Sequence, residues 1–174
     1  MNYDTLLLSG GGFKCFGFLG SLKYLIEKGI IKEYLEDIKD IIVVSGSCVY
    51  ILPLILGYSI DATIKLFNMF KMDTLIDIEN ISIDTLICDY GIYESQSSNK
   101  LIDLLLEKKG INNDITLKEL YEKTNINISF KTVNITKEKV YYLNHKDNPT
   151  IKLKDAICMS GCVPLLFKPF NYNG

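Results

Sequence analysis

An apolar run, Ile41-Ile-Val-Val44, stops at Ser45-Gly-Ser47 and resumes almost at once as Val49-Tyr-Ile-Leu-Pro-Leu-Ile-Leu56. The first half is short, unbroken and β-branched, the pattern of a strand buried on both faces. The second half shows no alternation and follows a glycine, as a buried helix does. So little chain separates the two that helix and strand must pack on each other, which confines the fold to the α/β class. The same order occurs once before. Thr5–Ser9 is a short apolar run, Gly10-Gly-Gly12 interrupts it, and Phe16–Lys28 follows with helical spacing. Phe16, Leu19, Leu22, Tyr24, Leu25 and Ile26 form its apolar face, and Gly29 is its expected stop.

Downstream, the spacing predicts helices over Asp61–Met69, Lys100–Lys109 with Gly110 as C-cap, Leu117–Lys123 and Leu153–Ser160. Strands are expected over Asn127–Ile135 and Lys139–Leu143, joined through Thr136-Lys-Glu138. Ile38–Val44 reads as the second buried strand, and Val49–Leu56 as a helix with Pro53 in its first turn. The expectation is one domain over residues 1–174, with a mainly parallel central sheet flanked by helices and a hairpin near residues 127–143.

Composition narrows the classes. At 48% hydrophobic and 23% charged residues the chain is an ordered globular one. A net charge of −2 without any arginine offers no footprint for nucleic acid and no bidentate clamp for phosphate. Five scattered cysteines and a start, Met1-Asn-Tyr-Asp-Thr5, without a basic leader suggest free thiols in a reducing, intracellular setting. No apolar run reaches the ~18–20 residues of a membrane span. Cys158 and Cys162 are spaced i,i+4, but with one histidine in the chain a metal site is not expected, nor is a cofactor.

Two loops could carry chemistry. In Gly10, Gly11, Gly12, Phe13 and Lys14 the glycines allow positive φ and close approach, so several N–H groups can converge on one anion ahead of a helix N-terminus. A dinucleotide fingerprint fails because Cys15 stands where its third glycine belongs and Val44-Ser45 where a ribose-binding acid would be. A Walker loop fails for lack of Gly-Lys-Ser/Thr. The second loop, Gly46-Ser47-Cys48-Val49-Tyr50, has the frame of the G-x-S-x-G elbow of acyl-transfer enzymes, with Cys48 at the serine and Tyr50 at the second glycine. Such a cysteine could be a thiolate activated by the helix N-terminus or a small buried hydrophobe. Tyr50 there is expected to clash with the strand or push the helix outward. The one histidine, His145, lies in a polar segment and reads as a surface residue, so the base of any hydrolysis should be a carboxylate. Asp37, Asp40, Asp89 and Glu94 read as caps or solvated charges.

The residues resemble the patatin-like phospholipase family. Asp4-Thr-Leu-Leu-Leu-Ser-Gly-Gly-Gly-Phe-Lys14 is similar to its glycine-rich oxyanion loop, Phe16–Leu25 to the helix after it, and Ser45–Tyr50 to its serine elbow. Asp89-Tyr-Gly-Ile92, Ile115–Leu120, the hairpin through Tyr142, and Ala156–Pro169 resemble later blocks. The resemblance implies a Ser–Asp dyad, without histidine, that cleaves acyl esters of lipids, with possible peripheral membrane contact. By position it makes Gly11, Gly12 and Phe13 the oxyanion donors, Lys14 the basic residue and Cys48 the nucleophile position. It puts the catalytic aspartate in an Asp-Gly motif just beyond Pro169 and a short hairpin, a few residues past the point where this sequence stops at Asn171-Tyr-Asn-Gly174, so a patatin-like domain over residues 1–174 is expected to be incomplete at its C-terminus. Cys15, Cys48 and Tyr50 depart from the pattern, so the expectation is a fold kept with hydrolysis impaired, or a pseudoenzyme that binds lipid or an anion.

Overall fold

The computed structural model describes residues 3–69, 90–93 and 99–172. Asp89 and Glu94 lie outside them. The chain opens with β1 (Thr5–Leu8), a 3-10 turn over Gly12–Phe16 and α1 (Gly17–Glu27). Next come β2 (Asp40–Val44), α2 (Ser47–Ile55) and α3 (Ile60–Met69). The later elements are β3 (Gly91–Tyr93), α4 (Asn99–Lys108), α5 (Leu117–Thr124), β4 (Asn127–Asn134), β5 (Lys139–Leu143), α6 (Leu153–Gly161) and β6 (Leu165–Phe167).

Four strands form the main sheet in the order β1-β2-β4-β5, parallel except for β5, which returns antiparallel against β4. A separate parallel pair joins β3 to β6. Register puts Leu8, Val43, Phe130 and Leu143 in one row across the sheet, and all four are buried. Ile41 and Ile128 extend that face toward the other end of the strands. α2 and α6 pack against the sheet, on β2 and β4 respectively. The opposite face is less covered. Leu7, paired with Ile42, is 70% exposed.

The 3.6-residue period and the glycines did their expected work. Gly29 and Gly110 end α1 and α4 with φ of 66° and 64°, conformations glycine adopts without a Cβ penalty. Of the boundaries that differ from expectation, two lie beside the glycine loop and the elbow. A 3-10 turn occupies Gly12–Phe16, so α1 starts at Gly17. α2 starts at Ser47, which puts Pro53 in its second turn. Past Pro53 the helix runs only two more residues, and the Pro53 carbonyl accepts from Tyr58 N–H at 2.9 Å. Burial supports α2 throughout. Ser47, Cys48 and the whole run Tyr50–Ile55 are buried, and each large apolar side chain contributes about 2 kcal/mol of transfer free energy.

Candidate active site at the strand-to-helix elbow

The elbow is built by a change of backbone handedness at one residue. Ser45, directly after β2, has φ of 57°, and Gly46 returns to the right-handed region as the N-cap of α2. A non-glycine residue at positive φ is uncommon and persists only where surrounding contacts hold it. Three contacts do so. Ser45 N–H donates to the Ser160 hydroxyl at 2.9 Å. The Ser47 hydroxyl accepts from Val44 N–H at 2.9 Å. As donor it faces the Leu8 and Val44 carbonyl oxygens at 3.1 and 2.9 Å, which ties the ends of β1 and β2 together. Ser47 is fully buried and is a knot in the turn rather than a solvent-facing hydroxyl.

The two loops singled out from sequence meet here. A Cβ placed on Gly46 would lie 2.5 Å from the Gly12 carbonyl oxygen and 3.1 Å from Gly12 Cα. A Cβ on Gly10 would lie 3.4 Å from that of Ser45. Gly12 itself has φ of 54°, as the loop's freedom of conformation required. Ser9–Lys14 are exposed, so the loop presents its backbone outward beside the N-terminal end of α2. Phe13 is 42% exposed on this rim.

Cys48 sits in the first turn of α2 and is 2% exposed. Burial pushes its thiol up to about 12, so the helix N-terminus does not make it a thiolate. Its Sγ lies 3.4 Å from Ser160 Oγ. Cys15, 1% exposed, also has its thiol pushed up by burial, with the Ser47 backbone N–H acting in the opposite direction, and it points at the Ser9 carbonyl at 3.7 Å. Tyr50 does not collide with the strand. Its ring turns away into a pocket between Phe16 and Phe67, at centroid distances of 6.1 and 4.6 Å, and is 3% exposed. The close approach that demands glycine is at Gly46, four residues earlier. Val49 is half-buried beside it.

His145 is remote from the elbow. Its ring stacks on Tyr121 at 3.7 Å and its Nδ1 meets Asn127 Oδ1 at 2.9 Å. Asn127 Nδ2 donates in turn to Asp40 Oδ1 at 2.7 Å. Asn127 and Asp40 are the first residues of β4 and β2, so this network lies at the end of the sheet opposite the elbow. Asp37 accepts from Lys32 N–H at 3.1 Å within the loop between α1 and β2. Among the described residues no group of three His, Cys, Asp or Glu is placed to hold a metal, and no helix is long and apolar enough to cross a membrane. Two surface hollows, one lined by Ile115, Glu119 and Lys123 and one by Tyr3, Leu6 and Leu25, do not touch the elbow.

Sequence reasoning missed Ser45 and Ser160. The first carried a signal, a serine before the glycine at a strand end. The second carried none, because its partners lie 115 and 112 residues away.

Comparison with known proteins bears on this geometry. The patatin-like phospholipase family matches residues 6–174. An uncharacterized protein of Acanthamoeba polyphaga mimivirus is 30% identical over 170 residues, covering 98% of this chain and 55% of the relative. A probable lipid hydrolase of Invertebrate iridescent virus 6 is 28% identical over 177 residues, covering 98% and 57%. The chain thus spans about half the length of the curated relatives it matches. Among solved structures, VipD from Legionella pneumophila superposes with a TM-score of 0.72 at 17% identity, covering 99% of this chain and 44% of VipD. ExoU of Pseudomonas aeruginosa, solved with SpcU, gives 0.59 at 17% identity, covering 92% and 38%. At that identity the structures speak for the fold alone. With a family match across nearly its whole length, this chain belongs to the patatin-like phospholipase family.

Proposed function

We propose that the chain is a lipid acyl hydrolase domain of phospholipase A type that keeps its oxyanion loop, Gly10–Lys14, and carries Cys48 at the nucleophile position. Ester hydrolysis by residues 1–174 is negligible. The observation that carries this is the seating of Gly12 on Gly46, which supports a single site made of loop and elbow. In acyl transfer, backbone N–H groups from two such segments would hold the oxyanion of a tetrahedral intermediate. Cys48 is buried with its thiol pushed up by that burial, and no aspartate within residues 1–174 is followed by glycine. Loss of a general base alone costs on the order of 10²–10⁴-fold, and loss of an activated nucleophile compounds it non-additively.

The substrate class is a lipid or other acyl ester, taken at a membrane surface by peripheral contact. The exposed Phe13 at the loop rim, the absence of arginine and a net charge of −2 favour an apolar surface contact over nucleic acid. A second reading, a pseudoenzyme that binds lipid or an anion, is favoured by the exposed loop beside the buried thiol. A chromogenic short-chain ester tests the negligible hydrolysis. The purified chain should give no turnover above buffer, and Cys48→Ala should leave that unchanged. Turnover abolished by Cys48→Ala would establish a working cysteine hydrolase instead. Flotation with phosphatidylcholine vesicles, weakened by Phe13→Ser, would support the membrane contact.

A further inference from the structure

One hydroxyl gathers three partners from three parts of the chain. Ser160, in the last turn of α6, donates to the Lys131 carbonyl of β4 at 2.7 Å. It accepts from Ser45 N–H at 2.9 Å and from the Cys48 thiol at 3.4 Å. A serine hydroxyl has one proton and two lone pairs. With its proton on Lys131 and Ser45 N–H on one lone pair, what it offers Cys48 is a lone pair. Sulfur beside it must therefore be the donor, a thiol.

We propose that Ser160 is the positioning residue of the elbow, fixing the left-handed turn at Ser45 and holding residue 48 in its protonated form. The inference rests on the reading of residue 48 as the nucleophile position, while the hydrogen-bond pattern stands without it. Ser160 can do this because α6 is itself anchored. Thr132 Oγ1 donates to the Met159 carbonyl at 2.7 Å, a second tie between the end of α6 and β4. The sheet thus sets the height of Ser160, and Ser160 sets the elbow. Ser45 and Cys48 are contacted together, so the same side chain governs both the bend and the group the bend presents. To favour a thiolate the hydroxyl would have to turn its proton from Lys131 to sulfur and give up its 2.7 Å bond to the β4 carbonyl, which is unfavourable in a partly buried setting. A Ser160 proton turned to sulfur would lower the Cys48 thiol, against the burial and the Cys15 thiol of the 3-10 turn that raise it, but the Lys131 carbonyl holds that proton at 2.7 Å, which leaves Ser160 the acceptor.

The test is the pH profile of Cys48 alkylation by iodoacetamide, read residue by residue by mass spectrometry in the full chain. Ser160→Ala removes the acceptor and should shift the profile to lower pH by about one unit, raising the rate near neutrality about tenfold. Ser160→Thr keeps the hydroxyl and should return the profile to that of the wild type. Thr132→Val cuts only the other tie and should leave it in place. The proposal is overturned if Ser160→Ala leaves the profile unmoved, if Ala and Thr act alike, or if Thr132→Val produces the same shift. Should Ser160→Ala not fold, the Raman S–H band in the difference between wild type and Cys48→Ser decides. A band lowered by hydrogen bonding is expected, and a free-thiol band refutes the donor role. Ester turnover enters none of these readouts, so loss of the hydrolase reading would be seen separately.

Discussion

At the scale of single residues, the elbow depends on atoms that are missing. Gly46→Ala would drive a methyl group to 2.5 Å from the Gly12 carbonyl oxygen, and both neighbours in that contact are backbone. Relief requires the glycine loop to move, so the expected loss is about 1–3 kcal/mol, read as a lower urea midpoint with unchanged slope. Gly20→Ala is the matched control. It lies in α1 with nothing within 4 Å of its Cβ position, and alanine there should gain about 0.5–1 kcal/mol. That Gly46 belonged to a turn was legible in the run Val44-Ser-Gly-Ser47. Which backbone it approached was not, because Gly12 is 34 positions upstream in the sequence. The same blindness explains Tyr50. Its size was visible, but the aromatic pocket between Phe16 and Phe67 that takes its ring was not.

At the scale of elements, α5 shows local chemistry setting a boundary. Thr116 Oγ1 accepts from Glu119 N–H at 3.2 Å and Glu119 Oε2 accepts from Thr116 N–H at 2.8 Å, a complete capping box. Thr116→Ala should cost about 1 kcal/mol, measured by thermal or urea unfolding, with no effect on Cys48 labelling. Helices of this kind were readable because start, stop and apolar face all lie within one short segment. α2 shows the limit. Its existence followed from Val49–Leu56, but its first turn reaches back to Ser47 and is buried by contacts with α6, whose Ser160 sits more than a hundred positions away. The state of the Cys48 thiol is a property of that packing. A cysteine at a helix N-terminus is activated only where water or a cation can reach it, and here neither the pattern nor the spacing could say which case applied.

At the scale of the whole molecule, the sheet carries its polar network and its candidate site at opposite ends. The chain from Asp40 through Asn127 to His145 closes the N-terminal ends of β2 and β4. Burial, joined by the neighbouring Lys146 charge, lowers the His145 imidazole from its ordinary value. The folded state therefore favours neutral histidine, and the unfolded chain takes up the proton first as pH falls. Stability from this group is present above about pH 6.5 and is lost progressively below it. The thermal midpoint should drop between pH 7.5 and 5.5, and His145→Gln should flatten that drop, within roughly the titration range of a single imidazole. At the other end, Gly12 rests on Gly46 backbone to backbone. No side chain lies between them, so no existing side chain can be trimmed to narrow the gap, and the smallest one added, a methyl at Gly46, already collides. The spacing of loop and helix is quantised by the main chain, and variation in this protein must tune its site from the rim, through residues such as Phe13, or from behind, through Ser160.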